Sequence, residues 1–312
     1  MTITQLTYAL AVNTHRHFGK AAESCHVTQP TLSMQVQKLE DELGIILFDR
    51  NKHPVEPTEA GKHLLQQAES ILSEVQAMNG MVEELKGSLK GEFRLAIIPT
   101  LAPSILHRLV PKLQKFLPEV DFRIQEMQTE QIITALRGRE IDGAILATPL
   151  DEKDLQEYPV FYEPFMAYIP EGHRLEKESF ILHSELDSRD MLLLNEGHCF
   201  RNSVLKLCKH PEEHPASMKK IEIESGNFDT LVRLSRLGYG MTLLPYLTAA
   251  DLSKEQQKFL KPIDNPIPTR EISVVCLQSH YKKRMAKVLV QALAACVPDR
   301  LKEEKHSVVQ PI

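Results

Sequence analysis

The chain has 312 residues, of which 42% are hydrophobic and 25% charged, and its net charge is −5 at pH 7. This composition is typical of a globular chain of two or three domains, and no apolar run approaches the roughly 18 residues of a membrane helix. The negative charge gives no general attraction for nucleic acid, and five cysteines argue against a disulfide-stabilised scaffold. The N-terminal residues lack the features of a signal peptide, so we expect a cytoplasmic protein.

Two helices joined by a tight turn are predicted near the N-terminus. The second helix begins after Thr28, a suitable N-cap residue, and Pro30 falls in its first turn. One face of this helix is apolar, with residues spaced as in an α-helix: Leu32, Val36, Leu39 and Leu43. Gly44 is suited to end it. The pattern predicts a helix-turn-helix.

A long amphipathic helix is predicted over residues 59–87. Its apolar residues are alternately four and three positions apart, as in a heptad repeat: Leu64, Ala68, Ile71, Val75, Met78, Val82 and Leu85. So regular a stripe favours pairing with the same helix of a second copy, although packing on the helix's own domain gives the same pattern. Residues 88–91 are predicted to form a hinge.

Strand-like runs alternate with helical ones from residue 92 to about 300. Strands are predicted at 93–99, 120–127, 142–148, 164–170, 191–196, 219–225, 240–245 and 270–277, and helices at 104–118, 130–140 and 282–296. This alternation predicts open α/β sheets, in which ligands bind beyond the carboxyl ends of the strands. Thr100, Thr129, His198 and Cys199 follow predicted strands, so we expect them to line one cleft. The polar residues 301–312 are predicted to be a frayed tail.

Two of the five cysteines, Cys199 and Cys208, lie nine positions apart. They are open to three interpretations. In the first, they are buried structural cysteines, as we expect for Cys25, Cys276 and Cys296. In the second, they belong to a zinc site with His198, His210 and His214, although the spacing of these residues fits no short zinc-finger pattern. In the third, they form a redox pair.

The redox interpretation follows from the position of Cys199 at the start of a predicted helix, residues 200–208. A helix N-terminus lowers a thiol pKa, and His198 and Arg201 are expected to add positive charge. Such a thiolate attacks the O–O bond of a hydroperoxide and becomes a sulfenic acid, which a second thiol converts into a disulfide. Nine helical residues rise about 13.5 Å, whereas a disulfide requires Cα atoms within about 7 Å. Bond formation would therefore require this helix to unwind.

The N-terminal motif resembles the LysR-type transcriptional regulators. The matching residues are Ala21-Ala22, Gln29-Pro30-Thr31-Leu32-Ser33, Leu39-Glu40, Leu43-Gly44, Leu47-Phe48, Arg50, Thr58 and Gly61. The resemblance implies an all-α winged helix-turn-helix domain (1–58), a linker helix that forms the dimer (59–87), the hinge, and an α/β regulatory domain (92–300). That regulatory domain resembles periplasmic binding proteins and has two lobes, one from 92–161 and 268–300 and the other from 162–267.

The resemblance also implies binding to double-stranded DNA. The candidate contacts are Thr28, Gln29, Pro30, Thr31, Ser33, Met34, Gln35 and Lys38 in the second helix, with Arg50 and Lys52 from the wing. Many relatives have arginine where this chain has Met34, which argues against a guanine contact there. A dimer places its recognition helices about 34 Å apart, one turn of DNA, so an inverted-repeat operator is expected. The alternatives are a helix-turn-helix fold that does not bind DNA, and solvated charges at Arg50 and Lys52.

Further stretches resemble the peroxide-sensing members of this family. They are "HRHFGKAAESCHVTQPTLSMQVQKLEDELG", "IPT", "MQTEQ", "DGAILA", "EGHCFRNSVLKLC" and "GYGMTLLP". The Gly-His-Cys…Cys element is the most specific of them, because most LysR-type proteins lack it. The resemblance implies that Cys199 is the peroxidatic and Cys208 the resolving cysteine, and that Thr100, Thr129, His198 and Arg270 form a pocket for hydrogen peroxide.

The family resemblance further implies a homotetramer that activates peroxide-defence genes, with RNA polymerase and a thiol reductant as partners. It implies no cofactor, no metal and no enzymatic role. Two other functions stay open from the sequence. One is a LysR-type regulator of a small anionic metabolite, with structural cysteines. The other is a thiol peroxidase, against which the DNA-binding motif and the linker helix argue.

Overall fold

The computed structural model describes residues 1–85, 89–210, 225–279, 282–303 and 307–311. The chain divides into two compact units, Met1–Leu85 and Lys86–Ile312. Within the described ranges, no helix is both long and apolar enough to cross a lipid bilayer.

The N-terminal unit is a winged helix-turn-helix followed by one long helix, as predicted. Its elements are α1 (Ile3–His15), α2 (Phe18–Ser24), α3 (Gln29–Leu43), β1 (Phe48–Asp49), β2 (Glu56–Pro57) and α4 (Glu59–Leu85). Strands β1 and β2 pair in antiparallel fashion and form the wing. Gly44 ends α3 in the left-handed conformation, at φ 67°. A Cβ atom at Gly61 would lie 2.2 Å from the Leu47 carbonyl oxygen, so only glycine allows α4 to pack this closely beside the wing.

Helix α4 buries its apolar stripe only along its first part. Ala68 is buried and Leu64 and Ile71 are half-buried within the N-terminal unit, whereas Met78 is 63% and Val82 45% exposed. Leu85 ends the helix, and residue 88 of the predicted hinge lies outside the described residues. Gly91, which we predicted to lie in the hinge, is instead the first residue of a strand.

The second unit is an α/β domain with one mixed sheet. Its strands are β3 (Gly91–Ile97), β4 (Val120–Glu126), β5 (Gly143–Thr148), β6 (Leu155–Tyr168), β7 (Thr242–Pro245), β8 (Leu260–Pro262), β9 (Pro268–Leu277) and β10 (Ser307–Val308). Its helices are α5 (Ala102–Phe116), α6 (Thr129–Arg137), α7 (Cys199–Leu207), α8 (Phe228–Arg236), α9 (Tyr246–Ala250), α10 (Lys254–Gln257) and α11 (Lys283–Ala294). The main strand order is β4-β3-β5-β9-β6-β7.

Strand β6 connects the two lobes that we predicted. Nine of its first ten residues pair with β9, with an irregularity at Val160, and its last residues pair with β7 and β8. Two separate hydrophobic cores lie along it, one in each lobe. The sequence pattern located only the end of this strand, because Pro159 and Pro164 interrupt the run that precedes it.

Residues 191–196 do not form the predicted strand. Only Met191 makes a bridge, to Met241, and the Leu192 N–H donates to the Met241 carbonyl at 2.7 Å. All four residues of the run Met191–Leu194 are buried, so this segment fills the core of the second lobe instead of alternating between two faces. The predicted strand at 219–225 falls, except for Ser225, outside the described residues.

The prediction of a frayed C-terminal tail is wrong for residues 307–311, which we call the C-terminal strap. Its strand β10 pairs in parallel with Pro268 and Thr269, and the Val309 N–H donates to the Thr269 carbonyl at 2.8 Å. The Gln310 carbonyl accepts bonds from Ser203 Oγ at 3.5 Å and Lys206 Nζ at 3.3 Å. Backbone pairing orders these residues although most residues of the predicted tail, 301–312, are polar.

Candidate functional site

Helix α7 holds the two cysteines at its opposite ends. Cys199 is its first residue and Cys208 follows its last, within one residue of the predicted helix. Both thiols are free and buried, Cys199 in the core of the first lobe and Cys208 in that of the second. Phe200 and Val204, four residues apart, bury one face of the helix. The nine helical residues separate the two cysteines by about 13 Å along the axis, so a disulfide cannot form while α7 is intact.

Arg270, on β9, lies at the centre of the predicted pocket. Its Nη1 donates to Thr100 Oγ1 at 3.0 Å and its Nη2 to the Thr100 carbonyl at 3.3 Å. Its Nε and Nη2 both contact Glu163 Oε2, at 2.9 and 2.8 Å. The guanidinium is 2% exposed and lies 5.5 Å from the centre of the Phe200 ring. Arg270 thus joins both lobes to the start of α7.

Two hydroxyl groups of the pocket have hydrogen-bonding capacity to spare. Thr100 Oγ1 accepts from Arg270, so its own proton is available. Thr129 Oγ1 is buried at the start of α6 and has no hydrogen-bond partner among the described residues. The Thr129 hydroxyl nevertheless lies near enough to the Cys199 thiol to favour the thiolate. A buried hydroxyl without a partner, beside a thiol, is suited to bind a small oxygen-containing ligand.

Burial raises the pKa of the Cys199 thiol above its ordinary value. The Thr129 hydroxyl, the Arg270 guanidinium and the N–H groups at the start of α7 act in the opposite direction but do not outweigh burial. The sequence-based expectation of a lowered pKa is therefore wrong in its net direction. The predicted effect of the helix N-terminus is present, but it acts on a thiol that is removed from water.

His198 directly precedes Cys199 in the chain but does not supply the positive charge that we predicted. Burial lowers the pKa of its imidazole, so the ring is neutral at pH 7. Arg201 donates to the Leu194 carbonyl at 2.9 Å. Gly197, at φ 85°, brings the start of α7 against Gln128: a Cβ atom there would lie 2.4 Å from Gln128 Oε1. The glycine of the Gly-His-Cys element thus allows the N-termini of α6 and α7 to meet.

Cys208 lies in surroundings that suppress its ionisation. Its Sγ contacts Met191 Sδ at 3.8 Å. Burial, followed by the carboxylates of Asp190 and Asp187, raises the pKa of this thiol to about 12. Lys209, the next residue, is bonded through its backbone to Leu186 and Ser188. These surroundings therefore keep the Cys208 thiol protonated in this position.

The zinc interpretation receives no support from the described residues. No three side chains among their histidines, cysteines and carboxylates lie close enough to hold a metal ion. His214, the last member of the ligand-rich stretch, lies outside the described residues.

A second cavity, of about 260 Å³, lies between the lobes. Thr100 forms part of its wall, together with Ser104, Asn227, Phe228 and Thr248. The carboxyl-bearing residues Asp229 and Asp251 also line it, and no lysine or arginine does among the described residues. This lining does not suit an anionic metabolite, the ligand of the alternative function.

Most of the predicted DNA contacts lie on the surface of the N-terminal unit. Eight of the ten candidates are exposed. Six belong to α3 or precede it directly, and two belong to the wing: Thr28, Gln29, Pro30, Thr31, Met34 and Lys38, with Arg50 and Lys52. Ser33 and Gln35 are half-buried, and Gln35 accepts a bond from Gln5.

The two wing cations are exposed but make ion pairs within the unit. Lys52 pairs with Glu56 at 2.6 Å. Arg50 contacts the buried Glu40 at 2.7 Å, and Glu40 also accepts N–H bonds from Leu47 and Phe48. Arg50 therefore helps to hold the wing against α3, a role that the sequence pattern did not indicate.

Glu163, the ion-pair partner of Arg270, is the residue near the site that sequence reasoning missed. It is a single carboxylate in a strand whose neighbouring aromatic residues, Phe161 and Phe165, are fully buried. A charged residue between buried aromatic side chains indicates a buried ion pair, and this signal was available in the sequence.

Known proteins match the chain along most of its length. The family model "Bacterial regulatory helix-turn-helix protein, lysR family" matches residues 3–62, and "LysR substrate binding domain" matches residues 86–296. The DNA-binding transcriptional dual regulator OxyR of Escherichia coli K12 is 33% identical over 275 residues, which cover 88% of this chain and 89% of that protein.

Solved structures of OxyR have the same fold. A full-length OxyR from Pseudomonas aeruginosa, with aspartate in place of one cysteine, superposes with a TM-score of 0.74 at 32% identity and covers 95% of this chain and 99% of that one. A cysteine-to-serine variant of Corynebacterium glutamicum OxyR, bound to hydrogen peroxide, superposes with a TM-score of 0.61 at 28% identity, and the match covers 95% of this chain and 92% of that one. The chain therefore belongs to the LysR family of bacterial helix-turn-helix regulators and, within that family, is similar to OxyR.

Proposed function

We propose that this protein is a DNA-binding transcriptional regulator that senses hydrogen peroxide through Cys199 and Cys208. The observation that carries the proposal is the placement of the two free thiols at opposite ends of α7, one of them beside Arg270 and the two threonine hydroxyls. The relatives named above are similar along most of the chain and include a peroxide-bound OxyR, which supports the same function.

The first chemical step is the oxidation of Cys199. Its thiolate sulfur attacks one peroxide oxygen, the O–O bond breaks, and the products are a sulfenic acid and hydroxide, which takes up a proton to become water. Negative charge moves from the sulfur to the leaving oxygen. We expect the hydroxyl groups of Thr100 and Thr129 and the guanidinium of Arg270 to donate to these oxygens, with neutral His198 as a further pocket residue.

The second step joins the two cysteines. The Cys208 sulfur displaces the sulfenic hydroxyl, and the disulfide forms with release of water. Since α7 holds the thiols too far apart, the helix must unwind first. Phe200 leaves the core of the second lobe in this process or pulls its neighbours with it, because its ring packs on Phe165 and Phe228 at 4.8 and 5.1 Å. Formation of the disulfide thus changes the packing of the second lobe.

The DNA-binding part of the proposal depends on a homodimer. The exposed Met78 and Val82 on α4 continue the apolar stripe and are suited to pack against the same helix of a second copy. Such a dimer presents two α3 helices to an inverted-repeat operator, with the exposed residues around Gln29 and Lys38 as candidate contacts. A rearranged regulatory domain changes the spacing of the half-sites. We expect a homotetramer of two such dimers.

The remaining partners follow from the same role. Activation of peroxide-defence genes requires contact with RNA polymerase, and a thiol reductant must restore the two cysteines. One peroxide is consumed per cycle, as in a thiol peroxidase, but the DNA-binding unit and the linker helix favour the role of a sensor over that of an enzyme. A regulator that binds the chromosome works in the bacterial cytoplasm, at the nucleoid.

Intact mass spectrometry tests the proposed function. After one equivalent of hydrogen peroxide, the wild-type chain should lose two hydrogens, about 2 Da, while Cys208→Ser should gain one oxygen, about 16 Da. Cys276→Ser, which alters another buried cysteine, is the matched control and should behave as wild type. No mass change in either the wild type or Cys208→Ser would favour a regulator with structural cysteines.

A further inference from the structure

Glu163 occupies an unusual position for a carboxylate. It is fully buried on β6, close to the point where this strand passes from the first lobe into the second. Its Oε2 accepts from Arg270 Nε at 2.9 Å and lies 2.8 Å from Arg270 Nη2. Its Oε1 accepts the backbone N–H of Leu247, in the first turn of α9, at 2.7 Å. Both oxygens are therefore engaged.

These contacts fix the orientation of the Arg270 guanidinium. The paired contacts of Nε and Nη2 with one carboxylate hold the plane of the group, and the bond from Leu247 prevents the carboxylate itself from rotating. In that orientation Nη1 points to Thr100 Oγ1. One of the five guanidinium N–H groups, on Nη1, has no partner among the described residues. It is free to donate to a ligand in the pocket.

We infer that Glu163 is a positioning residue for the oxidation of Cys199: it holds Arg270 so that the free N–H of Nη1 faces the reacting oxygens. The inference depends on the proposed peroxide-sensing function and extends it to a residue outside the thiol pocket. Glu163 is not a catalytic residue, because it contacts Arg270 and α9 and not the reacting atoms.

The charge that moves in the first step explains why this orientation matters. A hydroxide-like oxygen develops as the O–O bond breaks, and a donor that is already in place stabilises it without having to reorganise. An arginine side chain that is not held samples several rotamers and loses this advantage. Substitution of Glu163 should therefore slow the reaction of Cys199 even though Arg270 is still present.

A double-mutant cycle distinguishes positioning from a purely structural role. The four proteins, all in the full-length Cys208→Ser background, carry no further change, Glu163→Gln, Arg270→Gln, or both substitutions. The measurement is the second-order rate constant of sulfenic acid formation with hydrogen peroxide, together with the melting temperature. Glutamine has nearly the shape of glutamate and can still accept from Leu247.

The melting temperature and the rate constant are expected to respond differently across the four proteins. Each single substitution leaves one buried charge without its partner, so both single variants should melt at a lower temperature, and the double variant should recover most of this loss. The rate constant should fall about tenfold or more in each single variant and should not recover in the double variant, which should react no more slowly than Arg270→Gln alone.

Glu157→Gln is the matched control. Glu157 lies on the same strand, is half-buried, and accepts from the Leu150 N–H at 2.9 Å instead of from Arg270. This variant should react at the rate of its parent. The inference is overturned if Glu163→Gln reacts as fast as its parent, or if the double variant regains its rate together with its melting temperature. A parent rate no higher than that of a free cysteine would instead overturn the proposed function.

Discussion

Substitutions at Asn202 should shift the reduction potential of the Cys199–Cys208 pair, because the reduced state contains α7 and the oxidised state cannot. Asn202 lies in the middle of α7 and is exposed, so its replacement changes helix propensity and no packing. Alanine favours a helix over glycine by about 1 kcal/mol at such a position. For a two-electron couple, about 1.4 kcal/mol corresponds to about 30 mV, so the expected difference is about 20 mV.

The sign follows from which state each substitution stabilises. Asn202→Ala stabilises the helical, reduced form and makes the couple more oxidising, whereas Asn202→Gly destabilises that form and makes it less oxidising. The potential of Asn202→Ala should therefore be the more positive of the two. The assay equilibrates each variant in glutathione buffers of defined potential, traps free thiols by alkylation, and counts them by mass.

The control uses the same two substitutions at Lys287, an exposed position in α11. They should change the free energy of unfolding by a similar amount without moving the potential, because α11 is present in both redox states. Equal potentials for the two Asn202 variants, or the reverse order, would refute the claim that α7 is lost on oxidation.

Three further predictions follow from the site. In Cys208→Ser, the rate of peroxide reaction should rise steadily from pH 6 to 9, because the pKa of Cys199 is raised and the thiolate fraction grows with pH; a plateau below pH 8 in stopped-flow kinetics would contradict this. Thr129→Val, which removes the unpartnered hydroxyl at nearly constant volume, should slow the same reaction about tenfold, whereas Thr134→Val on the exposed side of α6 should not. Val309→Pro removes the N–H that joins the C-terminal strap to Thr269, and the strap also bonds to α7, so this variant should form the disulfide faster once the sulfenic acid is present, whereas Val309→Ala should not. Equal rates of disulfide formation for the two variants in rapid-quench mass spectrometry would exclude a restraint by the strap.

The fold was predictable where local pattern and chemistry agree. The spacing of Leu32, Val36 and Leu39 predicts the buried face of α3, and Gly44 ends that helix, as found. The alternation of strands and helices predicts β3 to β5 and the helices between them. The run at 191–196 misled us, since a continuous apolar stretch shows burial but not whether the backbone pairs with another strand.

The candidate site was predictable in part. The sequence indicated that Cys199 starts a helix, and the family resemblance pointed to Thr100, Thr129, His198 and Arg270. The sequence could not indicate the net direction of the pKa shift of Cys199, because the burial of this thiol depends on residues distant in the sequence. Glu163 lies 107 positions from Arg270 along the chain, so no local pattern links them. The strap was missed because its order comes from pairing with β9 and not from its own composition.

Hydrogen exchange of α7 tests the central claim most directly, that the disulfide and the helix exclude each other. The amides of the second half of α7, Ser203 to Leu207, should be protected in the reduced protein, since they donate to carbonyls of the preceding turn. After one equivalent of hydrogen peroxide, in a sample whose Cys199–Cys208 bond is verified by mass, the same amides should exchange at rates close to those of an unfolded peptide, while α11 keeps its protection. A complete disulfide with α7 as protected as before would contradict the account.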